Sequence, residues 1–242
     1  MAKWKVLAAT ALGVLFMPMA ASAQLNSLVE GFDDITTLPG AGWFTQNNST
    51  PVGTTGWFQG NSGVFPAHAG PATAYIAADF ANVAGANTIS NWLLTPQLNF
   101  SGGGIATFFT RTVPTVLFPD RLQVRYSTAG ASTNVGTGAT AVGDFTNLLL
   151  DINPTYSTSG YPNDWTQFTV NIPAGPNGRL AFRYFVEDGG PLGSNSDYIG
   201  IDTFEFTAIP EPGSIALLSM FGIGGGLYQY RYFRGRSRRC KS

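Results

Sequence analysis

The sequence predicts a single all-β domain, a sandwich or barrel, set between two apolar chain ends. Three observations carry this. Gly (30) and Pro (15) are abundant while only 11% of residues are charged, a mix suited to short strands joined by tight turns rather than to a charge-rich disordered chain. Aromatic residues make up 13% and are spread along the body, which supplies a core of large apolar side chains. Apolar residues also recur with period two, as in Leu122, Val124 and Tyr126, in Phe168, Val170 and Ile172, and in Leu180, Phe182 and Tyr184. That period puts these sets inward and Gln123, Arg125 and Arg183 outward. No amphipathic helix of useful length is visible.

In chain order, Lys3 and Lys5 form a positive start, and an apolar run from Val6 to Met19 follows. Ala21-Ser22-Ala23 then presents the small residues of a signal-peptidase site, so residues 1–23 read as a secretion signal and Gln24 as the first mature residue. The body, 24–208, contains eleven candidate strands at 28–33, 42–46, 56–59, 72–78, 90–94, 105–111, 121–127, 145–151, 166–172, 180–186 and 197–206, separated by Gly, Pro, Asn and Ser clusters. The segment 127–143 is small and polar and reads as a mobile loop. Trp92 and Trp165 are expected as core anchors. The tail, 209–242, opens with Pro210-Glu211-Pro212 and continues with the uncharged stretch from Gly213 to Tyr230. As a helix that stretch is about 27 Å long, close to the ~30 Å of a hydrocarbon core. Arg231, Arg234, Arg236, Arg238, Arg239 and Lys241 follow and would stay cytoplasmic, leaving the body outside.

Charge and cysteine usage narrow the function classes. The chain's formal charge is −1, but thirteen acids and only five bases fall in the body, a net of −8. Such a body lacks the basic footprint of nucleic-acid binding. It suits a soluble domain, or one that attracts a divalent cation. The one cysteine, Cys240, lies in the tail, so the body has no disulfide, thiolate nucleophile or cysteine metal cage.

Two stretches of the chain resemble known families. Pro210-Glu211-Pro212, an apolar segment and a terminal Arg cluster, behind a signal peptide, resemble the PEP-CTERM sorting signal. The resemblance implies a transient inner-membrane anchor and an exosortase that removes the helix and basic tail; a plain single-span anchor is the alternative. In the body, Glu30-Gly-Phe-Asp-Asp34, Gly42-Trp43, Trp57, Phe65-Pro-Ala-His-Ala-Gly70, Ile89-Ser-Asn-Trp-Leu-Leu-Thr-Pro96, Pro119-Asp-Arg-Leu-Gln-Val-Arg-Tyr-Ser127, Ala181-Phe-Arg-Tyr184 and Ile199-Gly-Ile-Asp-Thr203 occur in that order. Together they resemble the choice-of-anchor J domain, related to cleaved-adhesin domains, over nearly all of 28–207. This implies a jelly-roll β-sandwich and no particular reaction.

Site candidates follow from residue chemistry. The lone His68 sits in a Pro/Ala/Gly loop without a recognisable nucleophile, and Asp33-Asp34 and Glu187-Asp188 read as solvated turn acids before they read as a glycosidase pair. Trp43 and Trp57 are candidates for stacking a sugar ring, with core packing as the alternative. Glu30, Asp33 and Asp202 are a candidate calcium set if the first and last strands pair, the alternative being that they bond backbone amides. Three functions remain open: a non-enzymatic surface or matrix protein associating with polysaccharide, a carbohydrate-binding module with a defined glycan, and a secreted hydrolase.

Overall fold

The computed structural model describes residues 24–211. Ala21 and Ala23 of the leader, and the tail from Pro212 onward with its 213–230 span, lie outside the described residues. No helix among the described residues is long and apolar enough to cross a membrane.

Eleven strands follow one another: β1 (Ser27–Glu30), β2 (Phe44–Asn47), β3 (Phe58–Gln59), β4 (Ile76–Asp79), β5 (Asn87–Leu94), β6 (Gly104–Thr112), β7 (Leu122–Ser127), β8 (Asn147–Ile152), β9 (Thr166–Ile172), β10 (Arg179–Gly189) and β11 (Tyr198–Ala208). Each expected strand is present, with ends displaced by a few residues. Among the described residues, helix is confined to two 3-10 turns, Ile35–Thr37 and Phe80–Asn82. Asp34 and Asp79 start them by accepting the N–H two residues on, the usual side-chain service to a helix start.

The strands form two antiparallel sheets. One runs β3-β4-β11-β6-β9, with β1 also paired to β11; the other runs β2-β5-β10-β7-β8. The period-two sets face each other between them. Phe108, Val170, Ile201, Phe204 and Phe206 from the first sheet meet Leu93, Leu122, Val124, Leu180, Phe182 and Tyr184 from the second in one buried core. Phe182 sits edge-to-face on both Phe108 and Phe204, at 4.9 and 5.7 Å. Each fully buried Phe or Leu contributes roughly 1.5–3 kcal/mol of apolar transfer.

Ser27 pairs with Thr207 and Glu30 with Phe204, so the chain enters and leaves the sandwich side by side at one pole. The loops before β11, after β4 and before β7 gather at the opposite pole, where Phe80 N–H donates to Asp197 O (2.9 Å) and Ser196 N–H to Pro119 O (3.0 Å).

The outer faces of both sheets are covered, which the sequence reading missed. The segment 128–145, expected to be mobile and polar, lies over the second sheet. Val135 and Phe145 there pack on Trp92, Leu94 and Ala181. Arg183 points outward as expected yet is only 2% exposed. Its guanidinium lies 3.9 Å from the Phe185 ring centre and 4.8 Å from Trp92, and it donates to Ser90 Oγ (3.0 Å) and to the carbonyls of Ala139 and Ala141 in the covering segment. Stacking on aromatics plus carbonyl acceptors lets a buried guanidinium stay charged. Gln123 is buried beside it. On the first sheet, residues 60–74 fold back so that Phe65 joins Tyr75, Ala77 and Tyr198, with the half-buried Trp165 against them. Trp165 is therefore part of an outer-face cluster and not a core anchor; Trp92 is fully buried, but also on an outer face.

Candidate functional site

The three expected calcium ligands approach one turn without forming a common site. β1 and β11 do pair, yet Glu30 Oε1 accepts the Phe32 N–H (2.8 Å). Asp202, fully buried on β11, uses Oδ2 to accept the N–H groups of His68 (2.8 Å) and Ala69 (3.1 Å), and Oδ1 to accept the Thr203 N–H (2.5 Å). Burial raises its pKa against these donors, and burial followed by the nearby Asp33 raises that of Glu30. Asp33 is exposed. No group of three His, Cys, Asp or Glu side chains placed to hold a metal occurs among the described residues. As arranged, Asp202 is a clasp that ties the 60–74 flap to β11, with its lone pairs already engaged. His68 belongs to the same clasp: it is exposed, stacks on Phe109 at 3.6 Å between ring centres, and pairs its Nδ1 with Thr203 Oγ1 at 3.0 Å.

The expected stacking tryptophans stand together, but inside. Trp43 is 4% exposed and packs edge-to-face between Phe32 (5.5 Å) and Phe204 (5.7 Å), so it offers no open face to a ligand. Trp57 is half-buried. Both line a cleft of about 150 Å³ with Ile35, Leu38, Pro39, Thr45 and Ile76, at the side of the sandwich where the edge strands β2 and β3 lie. Both indole N–H groups are buried without a hydrogen-bond partner. Of the expected acid pairs, Asp34 is occupied as a helix start. Glu187 contacts Arg121 (3.4 Å) and the Tyr156 hydroxyl (3.3 Å).

The far pole carries the features of a binding surface. Among the described residues, five exposed large apolar side chains fall in its loops: Val52, Phe80 (41% exposed), Leu117 (70%), Phe118 (44%) and Leu192 (79%). Single exposed apolar residues are ordinary; a contiguous group of them marks interaction sites. Phe80, Phe118, Gly190, Pro191, Gly193, Ser196 and Asp197 line a cleft of about 190 Å³ there. The loops are braced for the task. A Cβ on Gly190 would lie 2.2 Å from Gly85 O, and one on Gly193 2.3 Å from Asp188 O, so the 188–196 loop packs too closely for side chains at either position. Asp188 and Ser196 hold φ of 50° and 74°, a region costly for residues other than glycine and found where surroundings over-determine the backbone. Gly190 N–H donates to Ser196 Oγ (2.8 Å).

Beneath the cleft lies Asp120, fully buried. It accepts from Thr112 Oγ1 on the first sheet (2.5 Å), from the Tyr184 hydroxyl on the second (2.5 Å) and from Asp197 N–H at the start of β11 (2.8 Å). Burial pushes its pKa up to about 6 despite these donors. Asp197, on the cleft wall, is raised by burial and then by Asp79. The cleft thus presents two aromatic rings and a carboxylate, with no histidine, thiol or activated hydroxyl among its lining residues. That set can stack and hydrogen-bond a ligand.

Pocket residues at the near pole differ. A cleft of about 600 Å³ there is lined by Gln24, Asn26, Asn99, Ser101, Asn177 and Ala208 to Glu211. It lies beside the points where the described residues begin and end, and apart from Glu211 its lining is neutral: amides, one hydroxyl, Ala208, Ile209 and Pro210.

Sequence reasoning missed the far-pole group because its members are lone apolar residues in separate loops. The signal available was that Phe80, Leu117, Phe118 and Leu192 all fall outside the alternating sets.

The chain matches no protein-family model, and no curated protein matches it by sequence. Solved structures do match. The K1 cleaved adhesin domain of Lys-gingipain from Porphyromonas gingivalis W83 is 23% identical, with a TM-score of 0.52, covering 76% of this chain and 99% of that one. The K2 cleaved adhesin domain of Lys-gingipain is 21% identical, with a TM-score of 0.52, covering 75% and 99%. At that identity the likeness is one of fold: this chain has a β-sandwich like that of cleaved adhesin domains.

Proposed function

We propose that the chain is an exported, non-enzymatic surface or matrix protein that holds extracellular polysaccharide with the loops of its far pole. The observation that carries this is a cleft bordered by the two exposed rings of Phe80 and Phe118, with Val52, Leu117 and Leu192 exposed in loops of the same pole, opposite the paired β1 and end of β11. The rings of Phe80 and Phe118 would take the C–H faces of sugar rings, and the Asp197 carboxylate would accept their hydroxyls. The strand order β4-β11-β6-β9 facing β5-β10-β7-β8 supports reading the sandwich as a jelly roll, a fold whose pole loops are free to vary.

In this account signal peptidase cuts after Ala23, and an exosortase acts at Pro210-Glu211-Pro212 while the basic tail is still cytoplasmic. Ile209 N–H donates to Gly103 O (2.9 Å), so the sorting motif begins one residue beyond a position fixed in the fold. A tether at the near pole turns the Phe80 and Phe118 loops away from the membrane.

Affinity electrophoresis of the purified protein through gels containing the host's extracellular polysaccharide tests the reading. The polysaccharide should retard the parent, and Phe80→Ala/Phe118→Ala should lose at least about tenfold in affinity, roughly the 1.4 kcal/mol that one stacked ring supplies. Equal retardation of parent and double variant would overturn it.

A further inference from the structure

The far-pole cleft carries a charge that no group in the described chain balances. Asp197 is part of its wall and is half-buried. Its main chain is engaged on both sides: the N–H donates to Asp120 Oδ1 (2.8 Å) and the carbonyl accepts Phe80 N–H (2.9 Å). What Asp197 offers the cleft is therefore its side chain. Among the described residues that carboxylate has no hydrogen-bond donor and no ion-pair partner; burial, and then the charge of Asp79, act on it, and both raise its pKa. A part-desolvated anion is costly unless a cation meets it. The chain's own bases are placed elsewhere. Residues 24–211 contain no lysine and five arginines. Arg111 lies against Asp164, Arg121 against Asp151, and Arg125 donates to Gln123. Arg179 donates to the carbonyls of Gly42 and Thr95, and Arg183 to Ser90 and the 128–145 cover. None of the five lines the cleft.

The aromatic walls suit the same missing charge. Phe80 is tied to Asp197 by the hydrogen bond above, and Phe118 precedes Pro119, whose carbonyl accepts Ser196 N–H (3.0 Å). Both exposed rings are thus carried on backbone that is bonded to residues 196 and 197. The face of an aromatic ring attracts a cation, most strongly where water is partly excluded. Other ligand classes fit less well. An anionic group would meet the carboxylate as a like charge, and a neutral sugar would leave it without a countercharge. A divalent ion needs six or more oxygens, and no group of three acidic, histidine or cysteine side chains is placed for one among the described residues. An ammonium brings three N–H donors to the carboxylate and C–H groups to the rings. At about 190 Å³, the volume of about six liquid waters, the cleft admits the aminated edge of one sugar ring.

We infer that the far-pole cleft selects saccharides bearing a free, protonated amino group, of which glucosamine is the simplest kind. The ammonium donates to the Asp197 carboxylate, and the C–H groups beside it lie on Phe80 and Phe118. The inference rests on the far-pole reading and adds to it the chemical class that the pole prefers. Neutral saccharide still meets the rings there, but more weakly.

The test titrates the purified protein with glucosamine trimer, N-acetylglucosamine trimer, cellotriose and trilysine, in mildly acidic buffer that keeps the amines charged, and follows the backbone amide resonances by nitrogen-15 NMR. Glucosamine trimer should bind about tenfold or more tightly than either neutral trimer, the worth of one charge-assisted hydrogen bond, with shifts at Phe80, Phe118 and Asp197. That preference should shrink as salt is raised. Asp197→Asn should bind glucosamine trimer as weakly as the parent binds cellotriose. Equal affinity of the parent for charged and neutral trimers, with shifts in the Phe80 and Phe118 loops, would overturn the amine assignment and leave the far-pole reading standing. Silence of those loops toward every saccharide would remove both. Trilysine bound as tightly as glucosamine trimer would give the cleft to basic peptides instead, and parental affinity of Asp197→Asn for glucosamine trimer would overturn the part assigned to the carboxylate.

Discussion

Replacing Asp120 with Asn should stabilise this protein at neutral pH and remove most of the pH dependence of its stability. Asp120 is fully buried between the two sheets, and its pKa rises from 3.8 to about 6 because burial penalises the anion more than its donors repay. With the folded value above the unfolded one, the folded state holds a proton between about pH 4 and 6 that the unfolded chain has released. Stability from this group is therefore complete below about pH 4 and is lost as pH rises through 6. The difference of about 2.2 in pKa corresponds to about 3 kcal/mol at ~1.36 kcal/mol each. For a domain of this size that is roughly 6–12 °C in melting temperature. Asparagine can satisfy the same partners without charge. Its oxygen accepts from Tyr184 and Asp197 N–H. Its amide donates to Thr112 Oγ1, whose proton then goes to Tyr198 O, already 3.0 Å away. The assay is thermal melting of parent and variant from pH 4.5 to 8. The parent should melt highest at the acid end, and Asp120→Asn should be flatter and higher at pH 8. Burial raises Glu30, Asp79, Asp197 and Asp202 in the same direction, so a smaller slope should persist. A parent curve flat across this range, or a variant with the parental slope, would refute the reasoning.

Other expectations concern the two covered faces, the acid clasp and processing. Asp202→Ala leaves three backbone donors of the flap and β11 without an acceptor and should cost about 2–4 kcal/mol; loosening of the flap should red-shift Trp165 emission, because its Nε1 donates to Pro66 O at 2.9 Å. Asp202's engaged oxygens predict the same melting midpoint in chelator and in millimolar calcium, and a calcium-dependent rise would restore the metal reading. Arg183→Ala strips the 128–145 cover of its central donor and should cost about 3 kcal/mol or more, with proteolytic nicking appearing inside that segment. Intact-mass measurement on protein from an exosortase-bearing host should find a chain that starts at Gln24 and lacks Cys240.

How much of this was legible in the sequence differs by feature. The strands were, because period two survives wherever one face meets the core: Phe168, Val170 and Ile172 read inward and are inward. The same parity held information about Trp165 that went unused, since an odd position on that strand points away from the core. Covered outer faces were not legible. The 128–145 segment is mostly Gly, Ala, Ser, Thr and Asn, which looks solvated locally, and it is held down by Val135 and Phe145 on Trp92 and by Arg183, some forty residues away in the chain. Ile76, Ala77 and Ala78 are all buried because the 60–74 flap covers the second face of their strand. Trp43 and Trp57 border one cleft, and the enclosure of Trp43 was not legible: it is sealed by Phe32 and Phe204, which meet only once β1 pairs with β11. The far-pole cluster depends on four loops converging, and no local pattern encodes that.

The central claim is that polysaccharide meets this protein at the pole away from β1 and the end of β11. Resonance mapping of the purified protein during titration with unacetylated oligosaccharides cut from the host polysaccharide tests it most directly. The account predicts that shifts concentrate at Phe80, Phe118, Gly190 to Gly193 and Asp197, with residues 24–27 and 99–104 unmoved. Shifts confined to the near pole or to the sheet faces, with the Phe80 and Phe118 loops silent at saturation, would contradict it.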